Sequence, residues 1–515
     1  MWVLPALFLS IALGYPLVSV LQRSFADIQS IDLSPQLGIA ASAALQAFIS
    51  MTGALLIGIP IAGVLATYRF RGRAFVQAIV TVPFVLPTVV IALAFRELLG
   101  TTLNSGLVLV VIAHIYINLA VVVRIVGATW QQLDQRMVIA ARSLGASSIR
   151  AFITVTLPQL KAAVSSAASI VFVFCFTSLG VVLVLGNSST RTLETQILRE
   201  TSLLLDFPTA AITAVLQLIV VTIALVLGAR ASMNSTSKIR TMRFSRLPRP
   251  HGLRTHIYVI TVALTAIILV TLPLISLVSG SLRDTNGWTL QWWQSLTDLE
   301  AGTTRLGSPI MAIATSLKYA FFTGVIAGVI GVLAAMSVLS HRLGRAVLII
   351  ALAPLGISAA TLGLGFMLSF GRAPFDLRGT DLLVPLAHSI VAVPLVIAVV
   401  LPTLRASDRR IAIVASALGA RPSRAFFTAY GPVLRVVAIA AAGLAACVSL
   451  GEFGAASFLA RSSSPTVPVQ IVKLLQRPGE QSFGVACALS VILVIGTLAL
   501  VASIDSLGAK RWKRS

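Results

Sequence analysis

Few residues in this chain could do chemistry, and their settings restrict what that chemistry is. Cys175, Cys447 and Cys487 each lie inside an apolar run, without metal-ligand spacing or the makings of a disulfide framework. They read as small buried hydrophobes. No G-x-x-x-x-G-K-[ST] phosphate loop occurs anywhere. Neither a catalytic residue nor a metal ligand is assigned. Glu452, in the run Ser449-Leu450-Gly451-Glu452-Phe453-Gly454, stands inside an apolar stretch, where an ionised group is costly and calls for a functional reading. It could attract a cationic solute along a pathway, or serve as a structural acid bonded to a neighbouring helix. Arg124, His114 and His388 lie in or near similar stretches, where packing or snorkelling accounts for them.

What remains is the chemistry of contact. One polar, partly amphipathic stretch runs Gln135-Arg136-Met137-Val138-Ile139-Ala140-Ala141-Arg142-Ser143-Leu144-Gly145-Ala146 and on to Val155-Thr156-Leu157-Pro158. A second runs Arg409-Arg410-Ile411-Ala412-Ile413-Val414-Ala415-Ser416-Ala417-Leu418-Gly419-Ala420 and on to Ala429-Tyr430-Gly431-Pro432. Each is a short helix former, a glycine that permits chain reversal, a second helical run, and a proline at the start of an apolar stretch. Apolar Ile and Leu beside Arg on a short helix suit docking into a groove on a partner. An ordinary loop helix in the lipid headgroup layer is the plainer alternative.

The elements that hold these loops are membrane helices. Of the 515 residues, 57% are hydrophobic and 11% charged, against about a quarter charged in a soluble domain. The mean hydropathy is +0.97. Twelve stretches reach the roughly 20 apolar residues that a span needs: 2–21, 37–67, 75–97, 106–129, 161–186, 208–229, 257–279, 309–338, 346–370, 381–403, 434–460 and 483–505. The first has no basic residue before it and no clear cleavage site, so it reads as a span and not a signal peptide. The longer second and eighth stretches leave room for loop or surface helix.

Net charge is +23, which in a soluble chain would suggest nucleic acid. Here the cations fall in alternate connections. One set holds Arg69, Arg71, Arg73, Arg136, Arg142, Arg150, Arg342, Arg345, Arg405, Arg409, Arg410, Arg421 and Arg424. The linker from Arg230 to His256 and the tail from Lys510 belong with it. The opposite set holds most acids, among them Asp27, Asp32, Glu194, Glu200, Asp206, Asp284, Asp376, Asp381 and Glu480. That alternation predicts both termini in the cytoplasm, and it turns the basic charge into a topology signal with no nucleic-acid partner. On the far side, Trp288, Trp292 and Trp293 have the composition of an interfacial belt.

Self-comparison exposes a duplication. A displacement of 274 residues (387 minus 113) puts Ala113-His114 on Ala387-His388, Leu144-Gly145-Ala146 on Leu418-Gly419-Ala420, Pro158 on Pro432 and Gln196-Ile197 on Gln470-Ile471. A displacement of 271 (354 minus 83) aligns Pro83 with Pro354, Phe95 with Phe366 and Ser178-Leu179-Gly180 with Ser449-Leu450-Gly451. The expected fold is an all-α membrane protein of about twelve transmembrane helices in two parallel six-helix repeats. The divisions are a first module at 1–229, a basic cytoplasmic linker at 230–256 and a second module at 257–515. An even number of spans per copy gives both the same orientation, around an axis along the membrane normal.

The duplicated loop resembles the motif of binding-protein-dependent ABC importer permeases of type I, Glu-Ala-Ala followed by Gly and then Ile-x-Leu-Pro. Ala140, Ala141, Gly145, Val155, Leu157 and Pro158 fit it in the first copy, and Ala415, Gly419 and Pro432 in the second. Val414 replaces the first alanine of the second copy and Gly431 its leucine, and Ile139 and Ile413 stand where the motif has Glu. The resemblance implies an ATPase-docking set of Ile139, Ala140, Ala141, Arg142, Leu144, Gly145, Ala146 and Pro158 with Ile413, Ala415, Leu418, Gly419, Ala420 and Pro432. Apolar packing and arginine replace a charged contact there, and Glu452 is the candidate on the substrate pathway. It further implies two copies of a cytoplasmic ABC ATPase carrying ATP and Mg, an extracytoplasmic substrate-binding protein, no cofactor on this chain, and a place in the bacterial cytoplasmic (inner) membrane.

The fused form is similar to permeases for thiamine or its phosphates and for ferric iron. Phe174-Cys175-Phe176-Thr177-Ser178 with Thr192-Leu193-Glu194-Thr195-Gln196-Ile197 is closer to the thiamine type, and the second copy lacks the Lys-Glu-Leu-Pro run associated with the iron branch. An ion-coupled secondary transporter would call for repeated intramembrane acids, often in inverted repeats, whereas Glu452 has Val181 opposite it in the other copy. A membrane enzyme would need a convergent polar cluster, and the sequence shows none.

Overall fold

The structure is a computed structural model that describes residues 2–26, 32–100, 103, 105–187, 190–233, 247–297, 308–340, 343–371, 376–406 and 409–512. Lys238, Arg240, Arg243 and Arg246 of the linker lie outside the described residues, as do Arg342 and the acids Asp27, Asp298 and Glu300.

The chain opens with α1 (Val3–Leu9), a π-helical turn at Ser10–Gly14, and α2 (Tyr15–Ala26). Pro16 explains the wide turn, because it lacks an N–H and its ring would crowd the carbonyl of residue 12 in a regular helix. Then come α3 (Ser34–Thr67), α4 (Arg73–Val85), α5 (Thr88–Leu99) and α6 (Gly106–Trp130). The short α7 (Gln135–Ser143) and α8 (Ser148–Ala151) precede α9 (Leu157–Phe176), α10 (Gly180–Leu185), α11 (Leu193–Ser202) and α12 (Phe207–Met233). The second copy begins at α13 (Leu253–Gly280), followed by a hairpin of β1 (Arg283–Asp284) and β2 (Gly287–Trp288) and by α14 (Gln291–Gln294). It continues through α15 (Pro309–Ser340), α16 (Gly344–Leu352), α17 (Ala359–Phe370), α18 (Leu383–Ala406), α19 (Arg409–Ala417), α20 (Pro422–Gly451), α21 (Gly454–Leu459), α22 (Val467–Leu475) and α23 (Glu480–Trp512).

Among the described residues ten helical stretches are long and apolar enough to cross a membrane, and two bent pairs bring the number to twelve. The bent pairs, α4 with α5 (105°) and α16 with α17 (108°), occupy the stretches expected as straight spans at 75–97 and 346–370. At the first bend Leu86 is extended (ψ 144) ahead of Pro87, as a residue before proline must be. At the second, Ser358 restarts the helix by accepting a hydrogen bond from Thr361 N, an N-cap. The long second and eighth stretches are single helices, α3 and α15, with no loop inside them.

By contact the chain forms two compact units. One comprises 1–31, 197–215 and 280–515, the other 32–196 and 216–279. In the first unit α15, α18 and α20 build the core around Ala334, Ile390, Val393, Val396 and Ala441. α2 lies along α17: a Cβ on Gly365 would sit 3.0 Å from Pro16, Tyr15 meets Phe370 edge-on at 5.7 Å, and Ser369 donates to Ser19. Trp292 is buried over Gly484 of α23 and donates to Arg283 O. Trp288 is exposed, with the Arg283 guanidinium 4.5 Å from its ring centre.

In the second unit α3, α6 and α9 surround Ala47, Ala54, Val122, Val126, Leu160 and Val171. α13 closes on the same unit through Ala266, and Tyr116 donates to Val270 O.

Candidate functional site

Both glycine turns form in the structure, and they share one backbone geometry. At the end of α7, Ala146 N donates to Ala141 O and Gly145 N to Arg142 O, with Gly145 at φ +88. At the end of α19, Ala420 N donates to Ala415 O and Gly419 N to Ser416 O, with Gly419 at φ +85. This pair of crossed bonds is the Schellman ending, which needs a left-handed residue after the helix and so favours glycine. Asp134 caps the start of α7 by accepting from Arg136 N, and Ser147 caps α8 by accepting from Arg150 N. Asp408, the counterpart of Asp134, lies outside the described residues.

The turns present apolar side chains to solvent. Leu144 is 89% exposed and Leu418 83%, and Ile139, Ile149, Ile153, Ile411, Ile413 and Val414 are exposed beside them. Ala140, Arg142, Pro158 and Pro432 are exposed as well, while Ala141, Ala146, Ala415 and Ala420 are half-buried at the turn. Arg410, Ile411, Val414, Ala415, Leu418 and Thr428 line an apolar groove of about 370 Å³ between α19 and α20.

The copies differ behind the turn. Leu157-Pro158 follows a π-helical turn at Phe152–Thr156, whereas Gly431-Pro432 sits inside the uninterrupted α20. Phe152 stacks on Trp130 at the end of α6, with ring centres 5.7 Å apart. Its counterpart Phe426 packs instead on Tyr430 of its own helix at 4.7 Å. Trp130 also fills the notch left by Gly63 of α3, so in the first copy the turn is braced against two spans. Nothing in the composition of the loop pointed to Trp130; its repeat position is Leu404, so self-comparison passes over it.

Glu452 stands at the break between α20 and α21, buried. Its Oε1 accepts from Ala455 N (3.0 Å) and its Oε2 from Ala456 N (3.2 Å), and His388 Nε2 of α18 approaches Oε2 to 2.9 Å. The other ring nitrogen, Nδ1, bonds Ser449 Oγ at 2.8 Å. Both carboxylate oxygens are therefore engaged within the protein. The matching His114 is tied elsewhere: its Nδ1 lies 2.7 Å from Gln46 Nε2 of α3, which also donates to Ser50. Pairing of His388 with Glu452 escaped sequence reasoning because 64 positions separate them (452 minus 388). Just before α18, Asp381 binds Lys318 at 2.6 Å and also pairs with Arg461.

The comparisons bear on this arrangement directly. The family described as "Binding-protein-dependent transport system inner membrane component" matches residues 54–234, which include the Gly145 turn. The "Probable sulfate transport system permease protein cysT" of Nephroselmis olivacea is 30% identical over 205 residues, 36% of this chain and 72% of its own length. The chain belongs to this permease family. The thiamine transport system permease protein ThiP of Brucella suis is 26% identical over 501 residues, covering 90% of this chain and 87% of its own length. The molybdate/tungstate transport system permease protein WtpB of Pyrococcus furiosus is 26% identical over 132 residues, 26% of this chain and 53% of its own length. As a permease of this family the protein is a multi-pass component of the inner membrane, with two permease modules fused in one chain.

Proposed function

We propose that this permease forms the pathway of a thiamine importer and is driven by two copies of a separate cytoplasmic ATPase that carries ATP and Mg. An extracytoplasmic binding protein delivers thiamine or a thiamine phosphate. The observation that carries the substrate is one of coverage. The likeness to ThiP runs through both copies, over 90% of the chain, whereas the sulfate and molybdate/tungstate permeases align with 36% and 26% of it. In this reading Leu144, Gly145, Leu418 and Gly419, with Ile139 and Ile413 beside them, are the ATPase contacts. The groove beside α19 receives an apolar residue of the ATPase, and both termini lie in the cytoplasm with the docking turns. Glu452 shapes the pathway by fixing the break between α20 and α21 and does not bind the cargo directly, since its oxygens are already engaged.

The test is reconstitution. The purified chain alone hydrolyses no ATP; together with its ATPase and binding protein in proteoliposomes it takes up radiolabelled thiamine when ATP is supplied on the ATPase side. Uptake of ferric iron without thiamine would move the assignment to the iron branch. Hydrolysis by the pure chain would overturn the division of labour.

A further inference from the structure

The end of α3, the start of α4 and the start of α13 come together within the second unit. In the short connection from α3 to α4, Arg69 N donates to Pro248 O, just ahead of α13, at 2.9 Å. Phe70 of that connection packs on the same apolar cluster as Val262 and Ala263 of α13, with Leu65, Val76 and Ala266 inside it. Two stretches distant in sequence are thus fastened side by side where three helices end.

This joint is basic. Arg69 and Arg71 on one stretch, and Arg249 and Arg254 on the other, are all exposed. None of the four is in an ion pair among the described residues. The sequence holds no acid between Asp32 and Glu97 or between Asp206 and Asp284, so neither stretch offers the other a counter-charge. Arg73 has a different task, since its Nε and Nη2 both donate to Leu65 O in the last turn of α3.

From these charges α13 leads away with two unlike faces. Val259, Ala266, Val270 and Leu277 are buried on its protein side. Ile257, Ile260, Leu264, Ile268, Leu272 and Ile275 are exposed, at steps of three or four that form one stripe along a helix. Arg254 stands one turn ahead of Ile257, at the head of that stripe. α13 is also the least buried of the ten long spans. A soluble anion would match the arginines and leave the stripe bare, and an uncharged lipid would do the reverse. An anionic phospholipid matches both, with phosphate at the arginines and acyl chains on the stripe.

We propose that an anionic phospholipid occupies this joint, its phosphate among Arg69, Arg71, Arg249 and Arg254 and its chains along the exposed face of α13. The lipid supplies the missing counter-charge and holds the stretch before α13 against the connection from α3 to α4. The proposal involves neither cargo nor ATPase, so it stands or falls apart from the importer reading. The experiment uses the full chain in phosphatidylcholine nanodiscs with a bimane label on Ile257→Cys, the three native cysteines being buried. At equal mole fraction, spin-labelled phosphatidylglycerol should quench the label with an association constant about fivefold or more above that of spin-labelled phosphatidylcholine, the preference that one arginine beside a headgroup provides. Changing all four arginines to Gln brings the two lipids to parity, changing all four to Lys keeps the preference, and added salt weakens it. Equal quenching by the two lipids in the parent overturns the proposal whatever the variants do. So does a Gln variant that melts with the parent and keeps its preference. Quenching by neither lipid, with a shift of emission when the ATPase is added, gives this face to a protein and overturns the proposal as well.

Discussion

Glu452 and His388 close on one another inside the first unit, and each supplies what the other lacks in an apolar setting. The carboxylate takes two backbone N–H groups at the start of α21 and the imidazole of α18. Replacing Glu452 with Leu strands those donors at about 1–3 kcal/mol for a buried unsatisfied group. Glu452→Gln keeps an acceptor and costs less. The expected outcome in thermal unfolding is a lower melting temperature for Glu452→Leu and a smaller drop for Glu452→Gln, with the KM for thiamine uptake little changed in the Gln variant. A large rise in KM with an unchanged melting temperature would instead make Glu452 a cargo ligand.

Asp381 is the half-buried counterpart to that buried pair. The Lys318 ammonium hydrogen-bonded to it, aided by Arg461, holds its carboxyl below the usual carboxylate value. A depressed carboxylate pKa adds stability above the unfolded value, and that stability is lost as pH falls through the folded one. Asp381→Asn is therefore expected to lower the melting temperature at pH 7 by no more than about 1 kcal/mol equivalent, since the pair is solvated. The gap between parent and variant closes once the pH drops below about 3.9 and further toward the depressed value. A gap that persisted unchanged to the acid end would show that charge is not its origin.

At the scale of elements, the turns at Gly145 and Gly419 show what a glycine can signal. No heavy atom lies within 4 Å of where a Cβ on Gly145 or Gly419 would stand, so space does not demand glycine; the positive φ does. A valine forced into that region costs roughly 1–2 kcal/mol, which the short, exposed α7 and α19 relieve by reshaping the turn. Gly145→Val and Gly419→Val are each expected to leave membrane insertion intact and to cut ATP-driven uptake by an order of magnitude or more. Uptake equal to the parent's would separate these turns from coupling.

These turns were legible in the sequence because helix, glycine and proline are local signals repeated at one spacing. The bends at Leu86-Pro87 and Ile357-Ser358 were not, because a run of apolar residues reads alike whether it crosses straight or folds back. Pro87 marked the first bend as clearly as any single residue could. At the second, Ser358 capping Thr361 is an ordinary feature that becomes informative only once the helix on either side is seen to turn.

For the whole molecule, hydropathy and charge sufficed for an all-helical membrane protein, self-comparison for its duplication, and the repeated loop's resemblance for the permease reading. They said nothing of which helix packs with which, because every span offers neighbours the same apolar surface. Contacts such as Pro16 against Gly365 and Tyr116 with Val270 depend on notches and single polar atoms that no periodicity reveals.

The placement of α2 along α17 has a consequence for how the chain is made. Gly365 follows Pro16 by some 350 positions. At a synthesis rate of about 5–20 residues per second, the first helix stands in the bilayer for roughly 20–70 s before its companion leaves the ribosome. Over that interval Ser19, which ends up bonded to Ser369, faces lipid or a chaperone of the insertion machinery. Biogenesis of this permease thus includes a waiting step, written into the distance between two residues that touch in the finished molecule.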